Sequence, residues 1–396
     1  MKPVYLYVTP FFPSVSRWQG GFCYDAVKAL ERDGRYDVRV VLTGLNDQDY
    51  EYNGIKVLCI KRIKLPCDCA PFLFTGLNGR ILLRKLKNEH IKESEIAVCH
   101  ANMEPEYAYA VKKRNPSAIV IWQTHWMGAP FTLSVYRLGV IRGLSDLLYI
   151  YWRRMLEAVD IVTVLSKLHV EQFGKAYPDG PLGKEIDVRE QTLYKRYRRI
   201  VPKKMVVFYN GIDTSVFCPG ERCHNGHFTI GCIGNFGPTK GQMTLIKAFE
   251  SVKPKLPDAK LVFIGSGPCL ESCKAEVEKA GLADSVKFEQ ECDHLKLPNI
   301  YRSFDLFALP SWQEGFCCVL VEAAGCGTPV VTTDAISFKE VIPPEDYAKW
   351  LFKPRDHEQL ADKILNFYKC RYHFAFARSM DINLLWEEFL DEVCRT

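Results

Sequence analysis

Residues 305–333 constrain the fold more than any other stretch. They read Asp-Leu-Phe-Ala-Leu-Pro-Ser-Trp-Gln-Glu-Gly-Phe-Cys-Cys-Val-Leu-Val-Glu-Ala-Ala-Gly-Cys-Gly-Thr-Pro-Val-Val-Thr-Thr. Leu306–Leu309 is a short apolar run stopped by Pro310 and Ser311, as a buried strand would be. Phe316 to Ala324 reads as an apolar helix opened by Gly315 and closed by Gly325 and Gly327. Pro329–Val331 starts the next buried strand. Strand, helix and strand in so few residues is the unit of a parallel α/β sheet. Two carboxylates punctuate it. Glu314 stands before the helix and Glu322 lies about two turns deeper. With a helix starting at Glu314, eight residues rotate about 800°, so both side chains point within roughly 80° of one another. Glu322 sits in Val-Leu-Val-Glu-Ala-Ala-Gly, where a carboxylate must be paired or face a polar cleft. The amides of Phe316, Cys317 and Cys318 open the helix and make an anion site. The plainer alternative is one more sheet helix, with Glu314 complementing its dipole.

This wording resembles the Glu-x7-Glu motif of the retaining, GT-B-fold glycosyltransferases, the "glycosyl transferases group 1" family (glycosyltransferase family 4). Pro310, Ser311, Glu314, Gly315, Phe316, Glu322, Ala323, Gly327, Pro329, Val330 and Val331 match it in register. Cys317 and Gly325 depart from it, where Gly and Ala are usual. The resemblance implies two Rossmann-like α/β domains facing a cleft. It implies transfer of a sugar, with retention, from a UDP- or GDP-linked donor to a glycan or lipid-linked acceptor. No cofactor or metal is implied.

A chain of 396 residues accommodates two domains. The divisions expected are 1–204, 205–380 and a closing helix at 381–396 that returns to the first domain. Fifty-two basic and 47 acidic residues leave a net charge of +5, too small to argue for nucleic acid. The 16 cysteines include several inside apolar runs (Cys59, Cys99, Cys232), and the N-terminus lacks a signal-peptide plan. A reducing cytoplasm without disulfides is the expectation. Cys67-x-Cys69 and Cys269-x3-Cys273 lack partners at zinc spacing. The most apolar region, Phe131–Leu156, is broken by Arg137, Arg142, Asp146, Arg153 and Arg154, so no membrane span is expected.

From the N-terminus, Val4–Val8 reads as a strand. It leads through Gly20-Gly21 into a helix from about Phe22 to Asp33, the layout of a phosphate loop. Glycines there allow an anion to approach the backbone, although Gly-Gly also makes a plain turn. Asp47-Gln-Asp49 could hold a divalent cation, but without other support it reads as a solvated loop. Arg80–His90 is a basic amphipathic helix. His100 and His125 each fall after a predicted strand, Ile96–Cys99 and Ala118–Trp122, where ligands of open α/β sheets sit. A hydrogen-bonded core histidine is the alternative for each. The resemblance carries over only His125, which it places toward the donor sugar.

Met205–Tyr209 reads as the entry to the second domain, followed by Asn210-Gly211-Ile-Asp213-x3-Phe217, close to the family's inter-domain turn. Gly234-Asn235-Phe-Gly-Pro-Thr-Lys240-Gly241 leads into a helix at Met243–Val252. The family usually has Arg at the position of Asn235 and Lys at that of Lys240. Lys240 suits a diphosphate, and Asn235 brings no second charge.

The resemblance thus assigns Glu314, His125 and Lys240 to catalysis. It assigns Gly20, Gly21, Asn235, Lys240, Phe316, Cys317, Cys318 and Glu322 to the donor, with Glu322 on the ribose. Specificity for sugar, base and acceptor is expected in loops 65–80, 126–145 and 168–204. The basic stretch 193–204, with Tyr194 and Tyr197, suggests peripheral contact with an anionic membrane, or a merely solvated face. A GT-B nucleotide-sugar epimerase, or a non-catalytic partner subunit, is the alternative function.

Overall fold

The structure, a computed structural model, describes residues 2–14, 19–44, 46–63, 75–125, 150, 153–167, 170, 202–222, 226–312, 314–371 and 380–394. The chain divides into two compact units, Met1–Tyr209 with Leu385–Thr396, and Asn210–Leu384. Each is a Rossmann-like α/β domain.

Among the described residues, the first unit is built on eight strands. They are β1 (Val4–Thr9), β2 (Asp37–Gly44), β3 (Tyr50–Tyr52), β4 (Ile55–Lys61), β5 (Ile96–Asn102), β6 (Ile119–Thr124), β7 (Ile161–Val164) and β8 (Met205–Val207). Their order is β3-β4-β2-β1-β5-β6-β7-β8, with only β3 antiparallel. Strand β1 is buried along its whole length, as expected of an apolar run covered on both faces. Helices α1 (Gly21–Asp33), α2 (Thr75–Asn88) and α3 (Pro105–Arg114) follow β1, β4 and β5.

The second unit has β9 (Thr229–Ile233), β10 (Lys260–Ile264), β11 (Val286–Glu289), β12 (Leu306–Leu309), β13 (Val330–Thr333) and β14 (Leu351–Phe352). All are parallel, in the order β11-β10-β9-β12-β13-β14. Its longer helices among the described residues are α4 (Gln242–Val252), α5 (Leu270–Lys279), α6 (Leu297–Arg302), α7 (Cys318–Gly325) and α8 (His357–Cys370). A last helix, α9 (Ile382–Cys394), belongs to the first unit from Leu385 on. There Trp386 and Phe389 meet Phe208 with ring centroids 4.8 and 4.4 Å away.

Both sheets run outward in two directions from their first strand. Each has a switch point, β1/β5 in one and β9/β12 in the other, where successive connections diverge and leave a crevice at the strands' carboxyl ends.

Several sequence expectations need correction. Strand β8 pairs with β7, so Met205–Val207 completes the first sheet instead of opening the second domain. The division falls after Tyr209 rather than 204. Helix α7 begins at Cys318, not Phe316, because Cys317 stays extended as its N-cap. Strand β5 continues through Asn102, which puts His100 inside the sheet. The basic helix runs Thr75–Asn88, and its Lys85 clasps both oxygens of Asp49 at 2.7 Å. Asp49 also accepts from the Cys59 amide at 2.8 Å, so it is a structural partner and not a solvated residue. Residues 64–74, 126–149 and 171–201 hold Cys67, Cys69, most of the expected specificity loops and most of the basic stretch. They lie outside the described residues.

Candidate active site

In the second unit, the loops after β9 and β12 carry the charged groups. They are tied together by backbone. The Trp312 amide donates to the Thr239 carbonyl at 3.1 Å, and the Ser311 hydroxyl to the Lys240 carbonyl at 3.4 Å. Gly241, the N-cap of α4, takes φ of +71° in the left-handed region, and a Cβ there would sit 2.2 Å from the Pro310 carbonyl oxygen. Only glycine permits this approach. The loops bring Lys240 Nζ to 2.5 Å from Glu314 Oε1. Glu314 is 10% exposed and Lys240 31%. Burial by itself would lower the Lys240 pKa, but Glu314 beside it prevails and holds the ammonium above its ordinary value. Lys240 therefore stays charged and is held in place.

Glu314 stands off α7, so the two-turn geometry drawn for Glu314 and Glu322 does not apply. Glu322 is inside the helix and 5% exposed. Its Oε2 accepts from the Tyr301 hydroxyl at 2.7 Å. That partner satisfies the demand that burial places on a carboxylate. Phe316 and Cys317 precede the helix and are buried, and Cys318 is its first residue. Burial, and then Glu314 nearby, push the Cys317 thiol up, so it remains neutral. What this segment offers an anion is the positive end of α7. Asn235 is exposed, and its amide oxygen lies so close to Gly267 that a Cβ there would come within 2.2 Å of it.

In the first unit, Gly20 caps α1 with φ of +96°. A Cβ would fall 2.8 Å from the Phe11 carbonyl carbon, so glycine is again required. Gly21 opens the helix at the carboxyl end of β1. Across the switch point, Asn102 ends β5 and is fully buried. Its Nδ2 donates to Thr9 Oγ1 at 3.2 Å and to Cys23 Sγ at 3.3 Å. These bonds leave Oδ1 as the acceptor toward His125 Nε2 at 2.7 Å. Asn102 thus fixes both the ring's orientation and the nitrogen that carries the proton. His125 is half-buried, with the Phe22 ring 5.3 Å from it. The sequence reading missed Asn102. Its only signal was an amide at the end of an apolar strand.

His100 is a core histidine. Tyr5 Oη and Gln123 Oε1 lie 2.9 Å from its two ring nitrogens. Burial lowers its pKa to about 3, keeping it neutral. No cluster of three or more potential metal ligands occurs among the described residues.

Two parallel-sheet Rossmann-like domains with these switch points constitute a GT-B fold. Sucrose-phosphate synthase from Thermosynechococcus elongatus superposes with a TM-score of 0.66 over all of both chains at 18% identity. Residues 222–382 match the family described as "Glycosyl transferases group 1", so the second unit carries a domain of that family. A D-inositol 3-phosphate glycosyltransferase of Segniliparus rotundus is 32% identical over 148 residues, 34% of this chain and 33% of that protein. The lipopolysaccharide core biosynthesis mannosyltransferase LpsB of Rhizobium meliloti is 36% identical over 118 residues, 28% of this chain and 33% of its own. The matched segment thus spans about a third of the length of these curated relatives.

Proposed function

We propose that the protein transfers a sugar from a nucleotide diphosphate sugar, UDP- or GDP-linked, to a glycan or lipid-linked acceptor, with retention of configuration. The observation that carries this reading is the Lys240–Glu314 pair at the β9/β12 switch point, beside the N-terminus of α7. As the glycosidic bond breaks, the leaving diphosphate gains charge, and preorganised positive groups stabilise it. Lys240, the head of α7 and the Gly20-Gly21 amides are those groups in this reading, and no metal is required. Glu314 holds the donor sugar, Glu322 the ribose hydroxyls and His125 the sugar near the reacting carbon. Glu322 would exchange or share its Tyr301 bond to do so. Front-face substitution suits a site with no assigned covalent nucleophile.

The relatives' printed activities support glycosyl transfer, and LpsB supports an acceptor from surface polysaccharide assembly. A cytoplasmic enzyme held loosely at an anionic membrane fits the basic stretch 193–204. No helix among the described residues is long and apolar enough to cross a membrane.

The test is nucleotide release from UDP- and GDP-sugars, with and without an acceptor extract, in the presence of EDTA. Acceptor-dependent release that resists EDTA, with an α-linked product from an α-linked donor, is the expected result. Release that ignores the acceptor favours a hydrolysing epimerase. Loss on chelation, restored by Mg²⁺, removes the metal-independent part of the reading.

A further inference from the structure

A second polar cluster lies at the carboxyl edge of the first sheet and has no part in the site described above. Thr43 is the penultimate residue of β2, Arg62 follows β4, and Glu104 caps α3 after β5. Glu104 receives Thr43 Oγ1 on one oxygen and Arg62 Nη1 on the other. Glu106 and Tyr107, in the first turn of α3, are 3% and 0% exposed. Met103 takes φ of +68°, a turn disfavoured for a side chain of its size. That turn sends Asn102 toward His125 and Glu104 toward Arg62, so the cluster begins two residues from the group that orients His125.

Its hydrogen bonding is incomplete. The Tyr107 hydroxyl and Arg62 Nε are both buried without a hydrogen-bond partner among the described residues. The phenol has Glu104, Glu106 and Arg62 as its electrostatic neighbours. A buried, unspent donor is costly unless something meets it. Arg62 is 25% exposed and Glu104 12%, so the cluster opens to solvent on their side.

We propose that Arg62, Glu104, Glu106 and Tyr107 form a subsite for the hydroxyls of a neutral polyol, a sugar or cyclitol ring of the acceptor. The proposal rests on the glycosyl-transfer reading for the word acceptor, but not for the binding itself. Arg62 is already paired with Glu104, which leaves no uncompensated positive charge for a phosphate. A hydroxyl both donates and accepts, and this cluster offers both roles: unspent N–H and O–H groups beside carboxylate oxygens. Burial, followed by the Glu104 charge, raises the Glu106 pKa to about 8, which keeps its carboxyl available as a further donor near neutral pH.

The test is saturation-transfer NMR on the full chain with myo-inositol, methyl α-mannoside and the phosphate esters inositol 1-phosphate and mannose 6-phosphate. At least one neutral probe should receive saturation, and each phosphate ester should bind more weakly than its neutral counterpart. Tyr107→Phe and Glu104→Gln should each weaken the neutral probe by about five- to tenfold, the worth of one hydrogen bond. UDP and GDP affinities, read by calorimetry, should not move. Tyr107→Phe discriminates best. Removing a hydroxyl that meets nothing leaves the melting temperature unchanged or raised, so a loss of polyol binding cannot be blamed on unfolding. Should Glu104→Gln fail to fold, Tyr107→Phe alone decides. Polyol binding indifferent to Tyr107→Phe, phosphate esters that bind better, or no binding of either neutral probe overturns the subsite. A wild-type chain that binds polyol but neither nucleotide keeps the subsite and sinks the glycosyl-transfer reading instead.

Discussion

Replacing Lys240 by Met keeps much of the side-chain volume and removes the charge. A unit charge about 4 Å from a phosphoryl oxygen is worth about 4 kcal/mol at an effective dielectric near 20. Part of that is already engaged in the resting protein, because Lys240 is 2.5 Å from Glu314. Only the increment gained as the diphosphate charges contributes to rate. Loss of one preorganised donor to a developing oxyanion costs about 10²–10³ in kcat. Discounted for the existing ion pair, Lys240→Met should lower kcat by roughly 30–150-fold, or about 2–3 kcal/mol. Donor KM should rise by less than this. Initial rates over a range of donor concentrations separate the two parameters. A double cycle with Glu314→Gln measures how much of the effect passes through the pair. The ionisation also has a sign. The folded pKa of Lys240 lies above its unfolded value. The pair's contribution to stability is therefore complete below about pH 10.4 and lost as pH rises through the folded pKa. Lys240→Met should lack that alkaline loss. A variant whose donor KM rises while kcat stays constant would refute the reasoning, because Lys240 would then hold ground state and transition state alike.

Glu322→Gln should weaken UDP or GDP binding by about 1–3 kcal/mol through unmatched ribose hydroxyls. Calorimetry that finds the wild-type affinity leaves Glu322 as the structural acceptor of Tyr301 alone. Asn102→Ala should leave His125 in place but free to rotate and change tautomer, lowering kcat about tenfold or more with little change in donor affinity. An unchanged kcat would remove His125, or its orientation, from the reaction. His100, folded near pKa 3 against about 6.5 unfolded, makes the unfolded state bind the extra proton as pH falls. It should cost about 1.4 kcal/mol of stability per pH unit between about 6.5 and 3. Denaturant unfolding at pH 7 and pH 5 should show this loss in wild type and not in His100→Phe, and equal losses would contradict it.

The charged groups of the second unit were legible because they stand in the loops after β9 and β12 and in the helix that follows β12. Lys240 and Glu314 each follow a strand that an apolar run marks clearly, and parallel-sheet geometry does the rest. What sequence could not supply was the precise start of α7. Gly315-Phe316-Cys317 has nothing that forbids helix, and only the extended backbone at Cys317 delays it. His100 stayed open between a ligand-facing and a core histidine for a similar reason. The apolar run ends at Cys99, but β5 continues for three polar-containing residues whose side chains find buried partners across the sheet. Partners 95 and 23 residues away leave no local trace. The same holds for Asn102, whose bonds reach back to Thr9 and forward to His125.

The two units answer one topological problem with different chemistry. In each, the helix after the first strand begins at a glycine in the left-handed region, Gly20 before α1 and Gly241 before α4. In each, the group across the switch point comes from the fourth parallel strand of the order, Asn102 at the end of β5 and Glu314 after β12. The backbone arrangement is shared, so the difference lies in what faces what. Glu314 meets a cation, and Lys240 stays charged in a partly buried place because Glu314 offsets the cost of burying it. Asn102 meets an imidazole, and a neutral amide fixes that ring's direction without fixing its charge. A site that must stabilise growing negative charge needs the first kind of pair. A site that must present a hydrogen-bonding group to an uncharged sugar needs the second.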